Sequence, residues 1–108
     1  MKKGDIWLVA LPSTNGYEQS GTRPVVLLTE TEANIAIVVP CTSNLQALRF
    51  PHTIEITPSP INGLSTISVA LVFQLRAIDK KRLQQKIGEL EEATLQELNT
   101  MTRNLLRL

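Results

Sequence analysis

One cysteine, one histidine, one tryptophan and one tyrosine are all that this 108-residue chain holds of those residue types, and each shortage excludes something. A lone Cys41 excludes an internal disulfide and a CxxC metal knuckle. A lone His52 excludes a two-histidine acid–base pair within one chain. No apolar run approaches the ~20 residues that a helix needs to cross a bilayer. The basic start M1-K-K-G-D5 is followed by too few apolar residues for a signal-peptide core, so a cytoplasmic location is the expectation. An excess of one charge is lacking as well. Eleven Lys and Arg stand against ten Asp and Glu, a net charge of +1, so composition alone does not announce a nucleic-acid binder. The carboxylates are scattered, without the spacing of metal ligands or of a glycosidase dyad.

What is present suits one domain, residues 1–108. Apolar residues make up 43% and charged residues 19%, ordinary for a globular chain. With 4% aromatics the core must be built from Val, Ile and Leu. Asp5–Leu11 (D-I-W-L-V-A-L) reads as a first strand stopped by Pro12. S13-T-N-G-Y-E-Q-S-G-T22 is a loop by its turn chemistry, and longer than an ordinary hairpin connection. Pro24–Thr29 and Asn34–Val39 read as a hairpin whose second strand ends at Pro40. Phe50–Thr57 is a half-exposed strand containing His52, and P58-S-P-I-N-G63 is a turn in which Asn62 and Gly63 can take positive φ. Ser65–Phe73 is a long strand, and Leu75–Ile78 continues it after a bend. From Asp79 to Lys86 the pattern suggests a helical turn or two capped by Asp79, broken at Ile87–Gly88. Leu95, Leu98, Met101, Leu105 and Leu108 then recur at helical spacing behind Glu91 and Glu92. Five or six strands and a closing helix make a mainly β (α+β) fold, a small antiparallel barrel or strongly curved sheet with the helix over one end.

Polar groups that can do chemistry concentrate in G21-T-R-P24, P40-C-T-S43 and F73-Q-L-R76, each at a strand end or interrupting an apolar run. Between Glu32 and Asp79 the only full charges are Arg49, Glu55 and Arg76. Convergence of those ends would assemble Arg23, Thr42, Ser43, Gln74 and Arg76, cations and hydroxyls without carboxylate or imidazole. Such a set suits an anion, above all a phosphate. Plainer roles remain open. Arg23 also reads as a surface charge beside a strand, Thr42 and Ser43 as a turn bonding its own backbone, and Arg76 as a structural ion pair with Asp79 or Glu55. His52 and Cys41 read as structural, Cys41 as a small buried hydrophobe. K80-K-R82 reads as a solvated helix face.

In order and spacing these segments resemble the MazF/PemK family of toxin endoribonucleases over the whole chain. The resemblance is carried by K3-G-D-I-W-L-V9, G21-T-R-P-V-V26, P40-C-T-S43, N62-G-L64, S68-V-A-L71, Q74-L-R-A-I-D-K-K-R-L83, K86-I-G-E-L90 and the leucine-rich last helix. It implies an SH3-like or plasmid-maintenance-toxin barrel that pairs as a two-fold homodimer, with single-stranded RNA lying across the dimer. It implies sequence-selective cleavage without metal or other cofactor, leaving 2′,3′-cyclic phosphate and 5′-hydroxyl ends. It implies Arg23 as the charge-stabilising catalytic residue, chiefly electrostatic because arginine holds its proton tightly, and Thr42 as the hydroxyl that positions the 2′-OH. Ser43, Gln74 and Arg76 would contact phosphates or bases. Thr22 and the loop before it would flank the groove, with Tyr17 available for stacking. The implied partner is a MazE-like antitoxin whose acidic tail fills the groove; DNA is reached only through that antitoxin, and no membrane is involved.

One departure stands out. Many relatives carry Asp or Glu just before the glutamine, where this chain has Phe73. Two alternatives therefore accompany the enzyme: a barrel that has lost cleavage and only binds RNA or antitoxin, and a non-enzymatic CcdB-like toxin acting on a protein. The latter implies a C-terminal Trp-Gly-Ile, and this chain ends L105-L-R-L108.

Overall fold

Val25 to Leu28 are all buried, although successive residues of a strand face opposite ways. The reason is that the sheet is covered on both faces. Val26 and Leu28 join Ile6, Val39, Cys41, Ile54, Ile56 and Leu98 in the larger core, under the C-terminal helix. Val25 and Leu27 join Val9, Ala36, Val38 and Ile78 in a smaller one, with Trp7 and Leu83 packed against it. Burial on both faces explains why these strands read as continuous aliphatic runs instead of alternating ones.

The computed structural model describes residues 1–11 and 21–108. Its strands are β1 (Asp5–Leu11), β2 (Gly21–Glu30), β3 (Ile35–Thr42), β4 (Thr53–Ile56), β5 (Ser68–Leu71), β6 (Arg76–Asp79) and β7 (Leu83–Glu89), followed by helix α1 (Glu92–Leu106). All pairings are antiparallel, in the order β4-β5-β3-β2-β1-β7, with β6 also on β3. The mainly β architecture with a closing helix is the expected one.

Several local readings change. The long strand forecast for Ser65–Phe73 is only Ser68–Leu71, followed by the 3-10 turn Val72–Gln74. Pro40 does not end the third strand but lies inside β3, paired with Val25. On its other edge β3 pairs with β6 through Ile35–Val38 and with β5 through Cys41–Thr42. Pro40 falls in the gap between those two partners, where a missing N–H interrupts no ladder. His52 is not in the half-exposed strand; it precedes β4 in the left-handed region, φ 60°, which histidine tolerates better than most residues. The helix forecast for Asp79–Lys86 is a single 3-10 turn, Lys80–Arg82, whose Asp79 cap accepts from the Lys81 N–H at 2.9 Å. Leu83–Glu89 then leaves as β7 because β1 offers an open edge, and the pairing tolerates two irregularities of register. Lys80 is not simply solvated: its ammonium lies 2.9 Å from the Glu30 carboxylate and holds that acid below its usual range.

The helix keeps its forecast face. Leu98 is buried, and Leu95, Met101 and Leu105 pack on the larger core. Leu108 lies beyond the helix end and is exposed, because Arg107 turns left-handed at the C-cap. No helix of the described residues is long and apolar enough to cross a membrane.

Candidate active site

Asn62 organises one wall of the site. It is fully buried, with its carbonyl accepting from the N–H groups of Ser59 and Leu64, each at 3.0 Å, and its amide donating to Thr57 O at 2.9 Å. A buried amide with its bonds satisfied fixes the loop around it. Gly63, at φ 69°, provides the left-handed step, while Asn62 itself does not. The loop then runs through Leu64, Ser65 and Thr66 to Ser68 at the start of β5.

The opposite wall comes from β2 and β3. Their ladder runs Leu27↔Val38, Val26↔Val39 and Val25↔Pro40. The same register carried two residues further sets Arg23 level with Thr42. Arg23 lies within β2, opposite Val9 of β1, not at the mouth of a strand beginning at Pro24. Pro24 keeps the backbone before it extended. Arg23 is half-buried and Thr22 exposed.

Between these walls lies a pocket of about 480 Å³, lined by Thr22, Arg23, Thr42, Ser43, Ser65, Thr66 and Ser68 over an apolar floor that includes Leu8, Cys41, Leu64 and Ile87. That volume suits a small ligand or one nucleotide of a longer strand. Among the described residues that line it there are six hydroxyls, one guanidinium and no carboxylate or imidazole. Arg23 makes no ion pair with any carboxylate of the described residues. The Thr42 hydroxyl oxygen accepts from the Asn44 N–H at 3.2 Å, the local turn bond foreseen for it, and its proton remains available to an incoming oxygen. The Thr22 hydroxyl donates to Gln84 Oε1 at 3.4 Å, and Ser68 to Thr66 O at 3.2 Å. A pocket that concentrates positive potential and hydroxyl donors above an apolar floor holds an anion and strengthens as charge on it grows. Among the described residues no three His, Cys, Asp or Glu side chains come together as a metal site would require.

Of the residues picked from sequence, Thr22, Arg23, Thr42 and Ser43 meet here. Gln74 and Arg76 do not line the pocket. They are exposed on the far side of β3, Arg76 opposite Val38 and Gln74 closing the short 3-10 helix Val72–Gln74. Among the described residues Arg76 forms no ion pair with Asp79 or Glu55. Tyr17 lies outside the described residues. Ser65, Thr66 and Ser68 were missed; their only signal was the hydroxyl run S65-T-I-S68 beside the Asn-Gly turn.

Cys41 contributes to the floor but not to the chemistry. It is buried, and burial pushes its thiol up to about 12, so at pH 8 only about one molecule in 10⁴ carries the thiolate. Iodoacetamide should leave Cys41 unmodified for hours in the folded protein and alkylate it rapidly in 6 M guanidinium. Intact mass measured over time checks this.

The sequence profile of the PemK-like, MazF-like toxins of type II toxin–antitoxin systems matches residues 2–106. The chain is 34% identical over 103 residues to the endoribonuclease MazF of Staphylococcus saprophyticus, covering 92% of this chain and 85% of that protein. The corresponding protein of Staphylococcus epidermidis is 33% identical over the same span. Among solved structures, the Mycobacterium tuberculosis toxin MazF-mt6 superposes with a TM-score of 0.74 at 21% identity, covering 96% of this chain and 97% of that one. The MazE–MazF structure from Deinococcus radiodurans gives 0.73 at 23% identity, covering 100% and 96%. At those identities the two structures speak for the fold.

Proposed function

The chain belongs to the PemK-like, MazF-like toxin family of type II toxin–antitoxin systems, and from that premise we propose that it is an endoribonuclease whose pocket holds the scissile phosphate of single-stranded RNA. The observation that carries this is the pairing of one guanidinium with six hydroxyls in a pocket that no carboxylate of the described residues lines. In the reaction the RNA's own 2′-oxygen attacks the adjacent phosphorus, giving up its proton. The bond to the 5′-oxygen breaks, and that oxygen takes a proton as it leaves. The products are a 2′,3′-cyclic phosphate and a 5′-hydroxyl. The protein has to align three atoms and stabilise the charge that builds on phosphorus.

Arg23 stabilises that charge, its planar fork matched to two phosphoryl oxygens. Thr42, level with it on β3, positions the 2′-hydroxyl. Ser43, Ser65 and Thr66 donate to the phosphate oxygens around it, and Thr22, its proton directed to Gln84, borders them. Gln74 and Arg76 lie beyond the pocket and contact bases and phosphates further along the strand, and Tyr17, outside the described residues, is the ring assigned to stack on a base. Residues 1–108 act as one toxin domain in the cytoplasm, working as a homodimer. A MazE-like antitoxin silences it by filling the same groove, and DNA is reached only through that partner.

The test is incubation of purified protein with long single-stranded RNA in EDTA, followed by mapping of the ends. Cyclic-phosphate ends formed in EDTA support the assignment; intact RNA under all conditions would leave only a binding barrel. Thr42→Val should lower single-turnover cleavage about 10- to 100-fold, the worth of one hydrogen bond to the 2′-oxygen as it gains negative charge on losing its proton. Thr42→Ser should retain most activity.

A further inference from the structure

Two aromatic rings in a chain that has four stand exposed and side by side. Phe50 follows the 3-10 helix Leu45–Arg49, and Phe73 lies in the 3-10 helix Val72–Gln74. Their centroids are 5.6 Å apart with planes tilted by 49°, yet each remains substantially exposed, 44% and 38%. The Arg49 guanidinium lies over the Phe50 ring, 5.0 Å from its centroid. The backbone beneath is tied down. The Phe73 N–H donates to His52 O at 3.3 Å, the Phe50 N–H to Ala47 O at 3.1 Å, and the Thr53 hydroxyl to Phe50 O at 3.0 Å. The pair is a pre-set surface, not a collapse of loose side chains.

Resting on the RNA-cleaving role above, we propose that Phe50, Phe73 and Arg49 form a stacking shelf for one unpaired base of the same strand, beyond the pocket. Three observations select a nucleic acid strand as the occupant. Exposed phenyl rings beside a guanidinium offer what an unpaired base and its phosphate need, a π-face and a cation. The stretch of sequence that carries both rings is poor in negative charge, with Arg49 and Arg76 against Glu55 alone between Glu32 and Asp79. The shelf also continues the pocket: Thr42 and Ser43 line it, Asn44 caps the Leu45–Arg49 helix by accepting from the Gln46 N–H, and that helix leads to Phe50. Five residues of 3-10 helix span about 10 Å, so the shelf takes a base a short way along the strand from the scissile phosphate. Phe73 receives the base, Phe50 buttresses it, and Arg49 neutralises the neighbouring phosphate.

The experiment uses a fluorescein-labelled, mixed-sequence single-stranded RNA with every 2′-hydroxyl methylated, so that it binds without being cut. Phe73→Ala should weaken binding about 5- to 150-fold without changing the salt dependence. Arg49→Ala should reduce the slope of log affinity against log salt by about 0.7, the signature of one lost phosphate contact on a single strand. Phe73→Trp should bind as well as the native chain, and its new indole should be quenched on addition of RNA while Trp7, half-buried against the smaller core, is not. Unchanged affinity in Phe73→Ala together with an unquenched indole would overturn the shelf while leaving cleavage standing. Failure of the native protein to bind any RNA would overturn the shelf and the cleaving role together. If Phe50→Ala or Phe73→Ala instead turned a dimer into monomers by light scattering, the face would be a contact between two copies of this chain and the shelf would be wrong.

Discussion

Arg23→Ala should reduce the single-turnover rate of RNA cleavage by about 10² to 10³, the usual loss when a preorganised donor to developing charge is removed. Among the described residues Arg23 is the only cation lining the pocket, so no neighbouring lysine or arginine of them can replace its charge. Its side chain is half-buried, where a charge acts through a lower effective dielectric than it would in water. The reacting phosphate gains negative charge on the way to its transition state, so the loss should appear mostly in the chemical step and less in binding. Arg23→Lys separates charge from geometry. It keeps a cation but loses the two-pronged donor set, and should fall between alanine and the native enzyme. Neither variant removes a core side chain, so urea midpoints should stay close to native. Rapid-quench cleavage of a fluorescent RNA, with affinity measured in parallel, separates the two effects. A rate within a factor of about three of native in Arg23→Ala would remove Arg23 from the chemistry, because one hydrogen bond to a charged group is worth more than that.

Gly63→Ala should destabilise the fold by about 2–5 kcal/mol, the sum of a left-handed residue with a side chain and overpacking against atoms that cannot move freely. Gly63 sits at φ 69°, and a methyl group added there would overlap the Ile87 carbonyl, which is backbone. Gly88, next in β7, faces the same junction from the other side: a methyl group on it would run into the Asn62 and Ile61 carbonyls. The turn and β7 therefore touch backbone to backbone, and the contact is closed by the Glu89 N–H donating to Ile61 O at 3.1 Å. A substitution on either side has to push β7 from the turn, loosening that bond and shifting Leu64 and Ser65 in the pocket wall. For a domain whose total stability is of the order of 5–15 kcal/mol, this is a large fraction. Urea denaturation followed by the fluorescence of Trp7 measures it. A midpoint within about 0.3 M of native would mean that the junction yields at little cost.

Much of this was legible in the chain. Asp5–Leu11 gave β1 at its observed limits, because a β-rich apolar run ending in proline has few other uses. The spacing of Leu95, Leu98, Met101 and Leu105 gave the face of the helix, since a period of 3.6 marks one side only. G21-T-R-P24 and P40-C-T-S43 marked half of the pocket as polar interruptions of aliphatic strands. The other half, Ser65, Thr66 and Ser68, carried no local sign beyond hydroxyls near a turn, which ordinary loops also show. The strand Leu83–Glu89 was misread because its mixed polar pattern fits a helix as well; pairing with β1 decides it, and pairing partners are not written in local sequence.

By itself, then, the sequence determined the class of fold, the covering helix, the family, and a chemistry of cations and hydroxyls without imidazole pairs. The fold class and the residue types follow from composition, period and order along the chain, which are local quantities, while the family rests on motifs matched over residues 2–106. Only the tertiary structure decided which polar groups meet. It set Arg23 level with Thr42 through the β2–β3 register, brought the Gly63–Ser68 wall across from them, and left Gln74 and Arg76 outside. It also set Phe73 against Phe50, two residues separated by a turn and two strands. Such meetings depend on strand register, where a slip of one residue turns every side chain to the opposite face, and register is fixed by packing across the whole domain.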